Sequence, residues 1–190
     1  MRQADLILLL HRIRRDHGKR VFSLRDIAAL AGVSRPAAGM ALLAAEKRGL
    51  VGRATTLWVN LIDPPPLSEL ALAFSSPSYI SFESALYHHH VLSQSPRGEL
   101  TLATRGRSKR LSTPLGSIRF IHVKQSLFFG FDENRMALPE KAWLDLLYIR
   151  RRMGMKPLLT ERFYPERLNR RRLALFSKRA GIDKERSGRL

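Results

Sequence analysis

Cysteine is absent from all 190 residues, so disulfides and thiolate metal sites are excluded. No uninterrupted apolar run approaches the roughly 18 residues that would span a bilayer. The opening MRQADLILLLHRIRRDHG superficially resembles a signal peptide. Its apolar run Leu6 to Leu10 is too short, however, and no small-residue cleavage site follows, so a cytoplasmic chain without membrane contact is expected. A Gly-rich phosphate loop carrying a Lys and a G-x-S-x-G elbow are both missing. Repeats and low-complexity tracts are missing too. Acidic residues are scarce: 16 Asp and Glu face 34 Lys and Arg, a net charge of +18.

That imbalance is segregated. Residues 1–63 hold 11 Lys/Arg against 5 acids, a net of +6; residues 64–149 hold 9 against 7, a net of +2; residues 150–190 hold 14 against 4, a net of +10. One-signed charge collected at two ends favours a polyanion, nucleic acid ahead of an anionic surface, over charge kept for solubility alone. Hydrophobic residues make up 44% of the chain, enough for a buried core rather than disorder.

The first 63 residues predict three helices and a hairpin. Leu6, Leu9, Leu10 and Ile13 recur at helical spacing over Ala4 to Arg15, ending at Asp16-His17-Gly18, and Val21-Phe22 are extended. Ser23 caps a second helix, with Asp26 in capping-box position and Gly32 as its stop. Its inward residues are Leu24, Ile27, Ala28 and Ala31. Ser34 caps a third helix with Pro36 in the first turn, running to about Arg48. Ala38, Ala41, Leu42 and Ala45 follow core spacing, leaving Arg35, Ala37, Gly39, Met40 and Leu43 outward. Leu50-Val51 and Leu57-Trp58-Val59 read as two strands joined by a turn over Gly52 to Thr56. This is the layout of a winged helix-turn-helix, a DNA-reading module, although such a module also serves protein contacts. The candidate DNA-binding residues are Ser23, Arg25, Ser34, Arg35, Pro36, Ala37, Gly39 and Met40, with Arg53, Thr55 and Thr56 at the wing tip. Arg35 suits a guanine edge, and the wing tip suits backbone phosphates.

Asp63-Pro64-Pro65-Pro66 reads as a stiff boundary, dividing the chain into domains 1–63 and 64–190. The second domain predicts a helix from Leu67 to Phe74 broken by Ser75-Ser76-Pro77, then a helix from Phe82 to about His89 capped by Ser81. Strands are expected at Leu100–Ala103, Arg110–Ser112, Ile118–Val123 and Leu127–Phe131, with a turn at Gly116-Ser117. Pro139 opens a helix closed by Arg150 to Arg152 and ended by Gly154 and Pro157. Leu138, Ala142, Leu146 and Ile149 share its face. A last helix starts near Pro165, with Leu173, Phe176 and Ala180 inward, Leu168 and Leu175 beside them, and a polar frayed tail from Ile182. The expected class is α+β: the winged module, then a mixed α/β domain with a small sheet and C-terminal helices.

No catalytic, cofactor or metal site is expected. His88-His89-His90 are helical neighbours about 100° apart, so they cannot converge on one ion. Glu140-Lys141 echo a nuclease E-x-K, but they are adjacent and open a helix with no second acid beside them. Arg105, Arg107, Lys109 and Arg110 fall on a loop between strands. They could grip phosphates or an acidic protein face, or form a solvated edge that discourages strand pairing. Arg167, Arg170, Arg171 and Lys178 lie on one side of the last helix and join that possible contact face.

Four blocks of the second domain resemble the AbiEi-type antitoxins of type IV toxin–antitoxin systems, associated with abortive infection. They are Ser78 to His89 (SYISFESALYHH), Thr113-Pro114-Leu115-Gly116, Phe128-Phe129-Gly130, and Pro139 to Tyr148 (PEKAWLDLLY). With the N-terminal module, the likeness covers about 150 residues. It implies a protein that represses its own operon by binding inverted repeats of operator DNA. It also implies a C-terminal domain that counteracts a nucleotidyltransferase-like toxin, with no stable complex required. His90 departs from the pattern, standing where a glycine is expected after the helix. The basic tail is also stronger than the family suggests. The alternative is a transcriptional regulator whose C-terminal domain senses a ligand and has no toxin partner.

Overall fold

A computed structural model describes residues 2–94, 98–155 and 163–182. Within them the chain is α+β, with seven α-helices and two small sheets. It divides into two compact units, residues 1–74 with 111–117, and residues 75–110 with 118–190.

The first unit begins with α1 (Gln3–His17), whose stop is a left-handed Gly18 donating back to the Arg14 carbonyl. Strand β1 (Val21–Ser23) leads directly into α2 (Leu24–Ala31), and α3 (Arg35–Glu46) follows. Strands β2 (Val51–Ala54) and β3 (Leu57–Asn60) form an antiparallel hairpin, and β1 pairs antiparallel with the other side of β3. Leu6, Leu9, Leu10 and Ile13 are buried with Phe22, Ile27, Ala28, Ala38, Leu42, Ala45, Val51 and Trp58 in one core. An isolated helix of this length is marginal in water, whereas each fully buried Leu or Ile contributes roughly 1.5–3 kcal/mol. The α1 stripe therefore holds the helix more than its intrinsic propensity does.

The strands differ from expectation at the wing. Gly52 is not in the turn but within β2, opposite Val59. A Cβ there would lie 2.5 Å from Pro114 Cγ, so the missing side chain makes room for that ring, which belongs to the same unit. The turn is Thr55-Thr56 alone, with Thr55 at φ 53°, a value usually left to glycine in such hairpins.

The three prolines lie inside the first unit, and the division follows α4 (Leu67–Phe74). Asp63 Oδ2 accepts from Arg14 Nε at 2.8 Å and Arg20 Nε at 3.1 Å, while Arg20 also reaches Glu69 on α4 at 3.3 Å. Arg20, just before β1, thus bridges the segments on both sides of the prolines, and Asp63 also binds α1 through Arg14. Hydrogen bonds from Arg14 and Arg20 hold the Asp63 carboxyl below the usual carboxylate range. A depressed folded value means stabilisation that is present above the unfolded value and lost as pH falls through the folded one. Asp63→Asn is therefore expected to flatten the acid side of the first unit's melting-temperature profile below about pH 4, and to leave the shape of the profile near neutrality unchanged.

The second unit carries β4 (Ser78–Ile80), α5 (Phe82–His88), β5 (Glu99–Thr104), β6 (Lys109–Thr113), β7 (Gly116–His122), α6 (Pro139–Arg152) and α7 (Arg170–Ala180), the 111–117 stretch excepted. The sheet order is β4-β5-β7-β6, with β4 antiparallel to β5. Strand β4 escaped the sequence reading because it is short and buried throughout, so it shows no alternation. The turn between β6 and β7 is Pro114-Leu115, not Gly116-Ser117. Leu127–Phe131 is not a strand but a 3-10 turn (Gln125–Leu127) followed by irregular chain. Its aromatic rings pack around Tyr79 rather than pointing to alternate faces: Phe131 stacks on Tyr79 at 4.6 Å and Phe128 meets it edge-on at 5.1 Å. Pro165–Arg167 is a separate 3-10 turn, so the last helix begins later, capped by Asn169. Leu175 is 63% exposed rather than beside the apolar face. The stop at Pro157 and the tail beyond Ile182 lie outside the described residues.

His90 lies just past α5 at φ 58°, the left-handed region that favours glycine. Its N–H donates to the Tyr87 carbonyl at 2.9 Å and the next N–H, of Val91, to Leu86 at 2.8 Å. The backbone thus keeps the bend that a glycine would ease. Relief of about 1–2 kcal/mol of left-handed strain outweighs the chain-entropy cost of about 0.4–1 kcal/mol. His90→Gly is expected to raise stability by about 0.5–1 kcal/mol, read as a shift of the denaturation midpoint.

Candidate nucleic-acid interface and a buried polar centre

The local sequence of the first unit builds a helix pair with an exposed edge. Ser23 Oγ accepts from Asp26 N while Asp26 accepts from Ser23 N, closing a capping box at the start of α2. Gly32 at φ 64° ends that helix. Ser34 Oγ accepts from Ala37 N to cap α3, and Pro36 occupies a first-turn position that needs no donor. The chain turns by 110° between the two helices through Gly32-Val33-Ser34.

Arg35, Pro36 and Met40 stand exposed on α3, Met40 by 70%, while Ala37 and Gly39 are half-buried. The small residues lower that side of the helix, and Gly39 lies near Leu24 of α2. Arg25 is exposed on α2. Neither Arg25 nor Arg35 enters an ion pair among the described residues, so both guanidinium groups remain in water. The hydroxyls of Ser23 and Ser34 are engaged in capping, so those two residues act through backbone geometry. At the wing, Thr55 and Thr56 are exposed. Arg53 is pinned: its N–H donates to Glu46 Oε1, its Nε donates to the Thr55 carbonyl, and its guanidinium lies 5.9 Å from the Trp58 ring.

The eight cations named in the second domain are all exposed, on separate elements. Arg105 and Arg107 occupy the β5–β6 connection, and Lys109 and Arg110 lie on β6. Thr104 Oγ1 accepts from Gly106 N, and Ser108 Oγ accepts from His122 N, which orders that connection. Arg110 pairs with Glu99, and Lys109 Nζ sits 5.0 Å from the Phe120 ring. Arg167 belongs to the 3-10 turn and lies over Tyr164, while Arg170, Arg171 and Lys178 line α7.

Sequence reasoning missed a cluster inside the second unit. Tyr79, Ser81, Lys141 and Asp145 are buried together, each at most 1% exposed. Tyr79 Oη and Ser81 Oγ each donate to Asp145 Oδ2 at 2.8 Å, and Lys141 Nζ donates to Asp145 Oδ1. The Ser81 hydroxyl therefore serves Asp145 and not the α5 cap predicted for it. Burial pushes the Asp145 carboxyl up and the Lys141 ammonium down, and their pairing opposes both shifts. Burial beside Asp145 also raises the Tyr79 phenol. Gly130, at φ 74°, lies against the Lys141 stem, where an added Cβ would come within 3.1 Å of Cγ. Glu140 is spent elsewhere: its Oε1 accepts from Asn169 N at 2.7 Å and its Oε2 from Arg172 at 3.4 Å, joining α6 to the start of α7. The overlooked signal was the four-residue spacing of Lys141 and Asp145 between apolar residues on both sides of α6.

His89 Nε2 lies 2.8 Å from the Ala137 carbonyl, whereas His88 and His90 are exposed. Among the described residues no group of three or more His, Asp or Glu could hold a metal ion. No single described helix is long and apolar enough to cross a membrane.

No family model and no curated protein matches this chain. Among solved structures it is similar to the crystal structure of the RV2827C protein from Mycobacterium tuberculosis, with a TM-score of 0.55 and 16% identity over 95% of this chain and 78% of that one. At that identity the likeness is one of fold alone.

Proposed function

We propose that the first unit is a winged helix-turn-helix that binds double-stranded DNA. The observation that carries this reading is the 110° pair α2–α3, with Arg35 and Met40 exposed on its second helix and the Arg53–Thr55–Thr56 hairpin beside it. A helix pair at about 90–120° joined by a short turn is the arrangement that presents a recognition helix to the major groove. Arg35 reads a guanine edge, Met40 meets thymine methyl groups, and Arg53 with the wing threonines holds phosphates.

The same proposal makes the chain a cytoplasmic antitoxin of a type IV system. It represses its own operon at inverted repeats and counteracts a nucleotidyltransferase-like toxin through its second unit. Support comes from the sequence blocks: residues of three of them (Tyr79 and Ser81, Gly130, Lys141 and Asp145) meet in one buried cluster. The test uses the full chain carrying Arg35→Ala and Arg53→Ala beside a toxin encoded by the neighbouring reading frame. Repression should be lost while growth protection persists. Loss of both in a folded protein would contradict the division of labour.

A second reading, a regulator that senses a ligand, is favoured by one feature. A cleft of about 290 Å³ in the second unit is lined by Leu147, Tyr148, Arg151, Met155 and Ile182. Under that reading no toxin-like frame neighbours the gene, and a small molecule shifts operator affinity.

A further inference from the structure

Asp5 and Arg12 occupy one face of α1 seven residues apart, two helical turns or about 10 Å along the axis. Leu8 lies between them and is 65% exposed, although its neighbours Leu9 and Leu10 are in the core. Beside it a groove of about 360 Å³ runs between α1 and the end of α2, with Leu30 (45% exposed), Ala31 and Val33 on its far wall. Asp5 and Arg12 flank this groove. Both are exposed and neither forms an ion pair among the described residues: Arg12 acts on Asp16 only at a distance, and Asp5 accepts from the Arg2 N–H through Oδ2 at 2.9 Å, which leaves its other oxygen for a partner.

We propose that this face binds a second copy of the same chain. A two-fold axis passing between Leu8 and Leu9 sets the two α1 helices antiparallel. Each Asp5 then meets Arg12 of the other copy, and each Leu8 enters the groove beside Leu30 and Val33. The charge order along the face is what selects this occupant: acid, apolar, base is complementary to itself only when reversed, as an isologous contact requires. The small apolar centre makes the association weak, in the micromolar range. It uses no residue of α3 or the wing, so it stands independently of the DNA reading.

The test is sedimentation of the full chain at concentrations up to about 200 µM, above the expected micromolar constant. Wild type should show a monomer–dimer equilibrium. Leu8→Lys and Arg12→Asp should each weaken it about tenfold or more. The double change Asp5→Arg with Arg12→Asp, which reverses both charges in every copy, should restore it. Thermal melts confirm folding: Leu8 and Arg12 are exposed, and the capping-box bond from the Arg2 N–H that Asp5→Arg removes is read in the melt, apart from dimerisation. A wild-type chain that stays monomeric throughout overturns the proposal. So does a double variant as weak as Arg12→Asp alone, and so does a Leu8→Lys chain that dimerises normally. If Leu8→Lys changes DNA affinity without changing dimerisation, the face serves nucleic acid instead.

Discussion

Asp145→Ala will cost the second unit about 3–5 kcal/mol, a large share of the total stability of an ordinary domain. The carboxylate is fully buried and accepts from Tyr79, Ser81 and Lys141. Its removal strands the Ser81 hydroxyl and the Lys141 ammonium, a cation that is 1% exposed and that burial already disfavours, and leaves Tyr79 Oη only the Leu127 carbonyl at 3.3 Å. The penalty belongs to breaking the pair and not to the pair's net worth, because desolvation consumes much of the attraction between two buried charges. Lys141→Met with Asp145→Leu should therefore recover the part of the loss that the unpaired ammonium causes, while the Ser81 hydroxyl stays without its acceptor. Trp143 adjoins this pair on α6, and the other tryptophan, Trp58, lies in the first unit. In a Trp58→Phe background, fluorescence-detected denaturation reports the second unit alone. If Asp145→Ala costs less than about 1 kcal/mol, ordinary for a surface change, the cluster is not what organises the unit.

Arg35→Ala is expected to weaken binding to operator DNA by about 1–3 kcal/mol, roughly five- to 150-fold, and to flatten discrimination at one base position. Its helix-capped place at the start of α3, with no internal partner among the described residues, leaves the whole guanidinium for a base edge. Arg53→Ala should behave differently. Arg53 sits on the wing beside Trp58 and Thr55. Removing its bond to a phosphate lowers affinity alike for all duplexes and reduces the salt slope by about 1. Competition anisotropy with single-base operator variants separates the two patterns. Equal losses on every sequence for Arg35→Ala would remove it from base reading.

The helices of the first unit were legible because caps and stops bracket them: Ser23 with Gly32, and Ser34 with Pro36. The hairpin was legible in place but not in detail. Gly52 drew the turn toward itself, yet its glycine is needed for the approach of Pro114, a residue distant in sequence. Thr55 takes the positive φ instead. Distance in sequence also explains Ser81. A serine before a helix reads as a cap, and only the fold reveals a carboxylate 64 residues away. The aromatic run Phe128–Phe131 imitated strand alternation, whereas its rings answer to Tyr79 and Phe129 meets Phe176. Lys141 and Asp145 were passed over because periodicity counts apolar residues, and here the two halves of an ion pair occupy core positions. His90 is the instructive opposite: a glycine was expected there, and its backbone holds the conformation that glycine favours.

DNA reading by the first unit is tested most directly by anisotropy of the full chain on the duplex upstream of its own reading frame, measured across salt concentrations against a scrambled duplex. Selective binding to the upstream duplex is expected. Its log affinity should fall linearly with log salt, with a slope of about −1.8 or steeper if Arg25 and Arg53 each neutralise a phosphate. Equal affinity for both duplexes, or a slope near zero, would contradict DNA reading by the first unit.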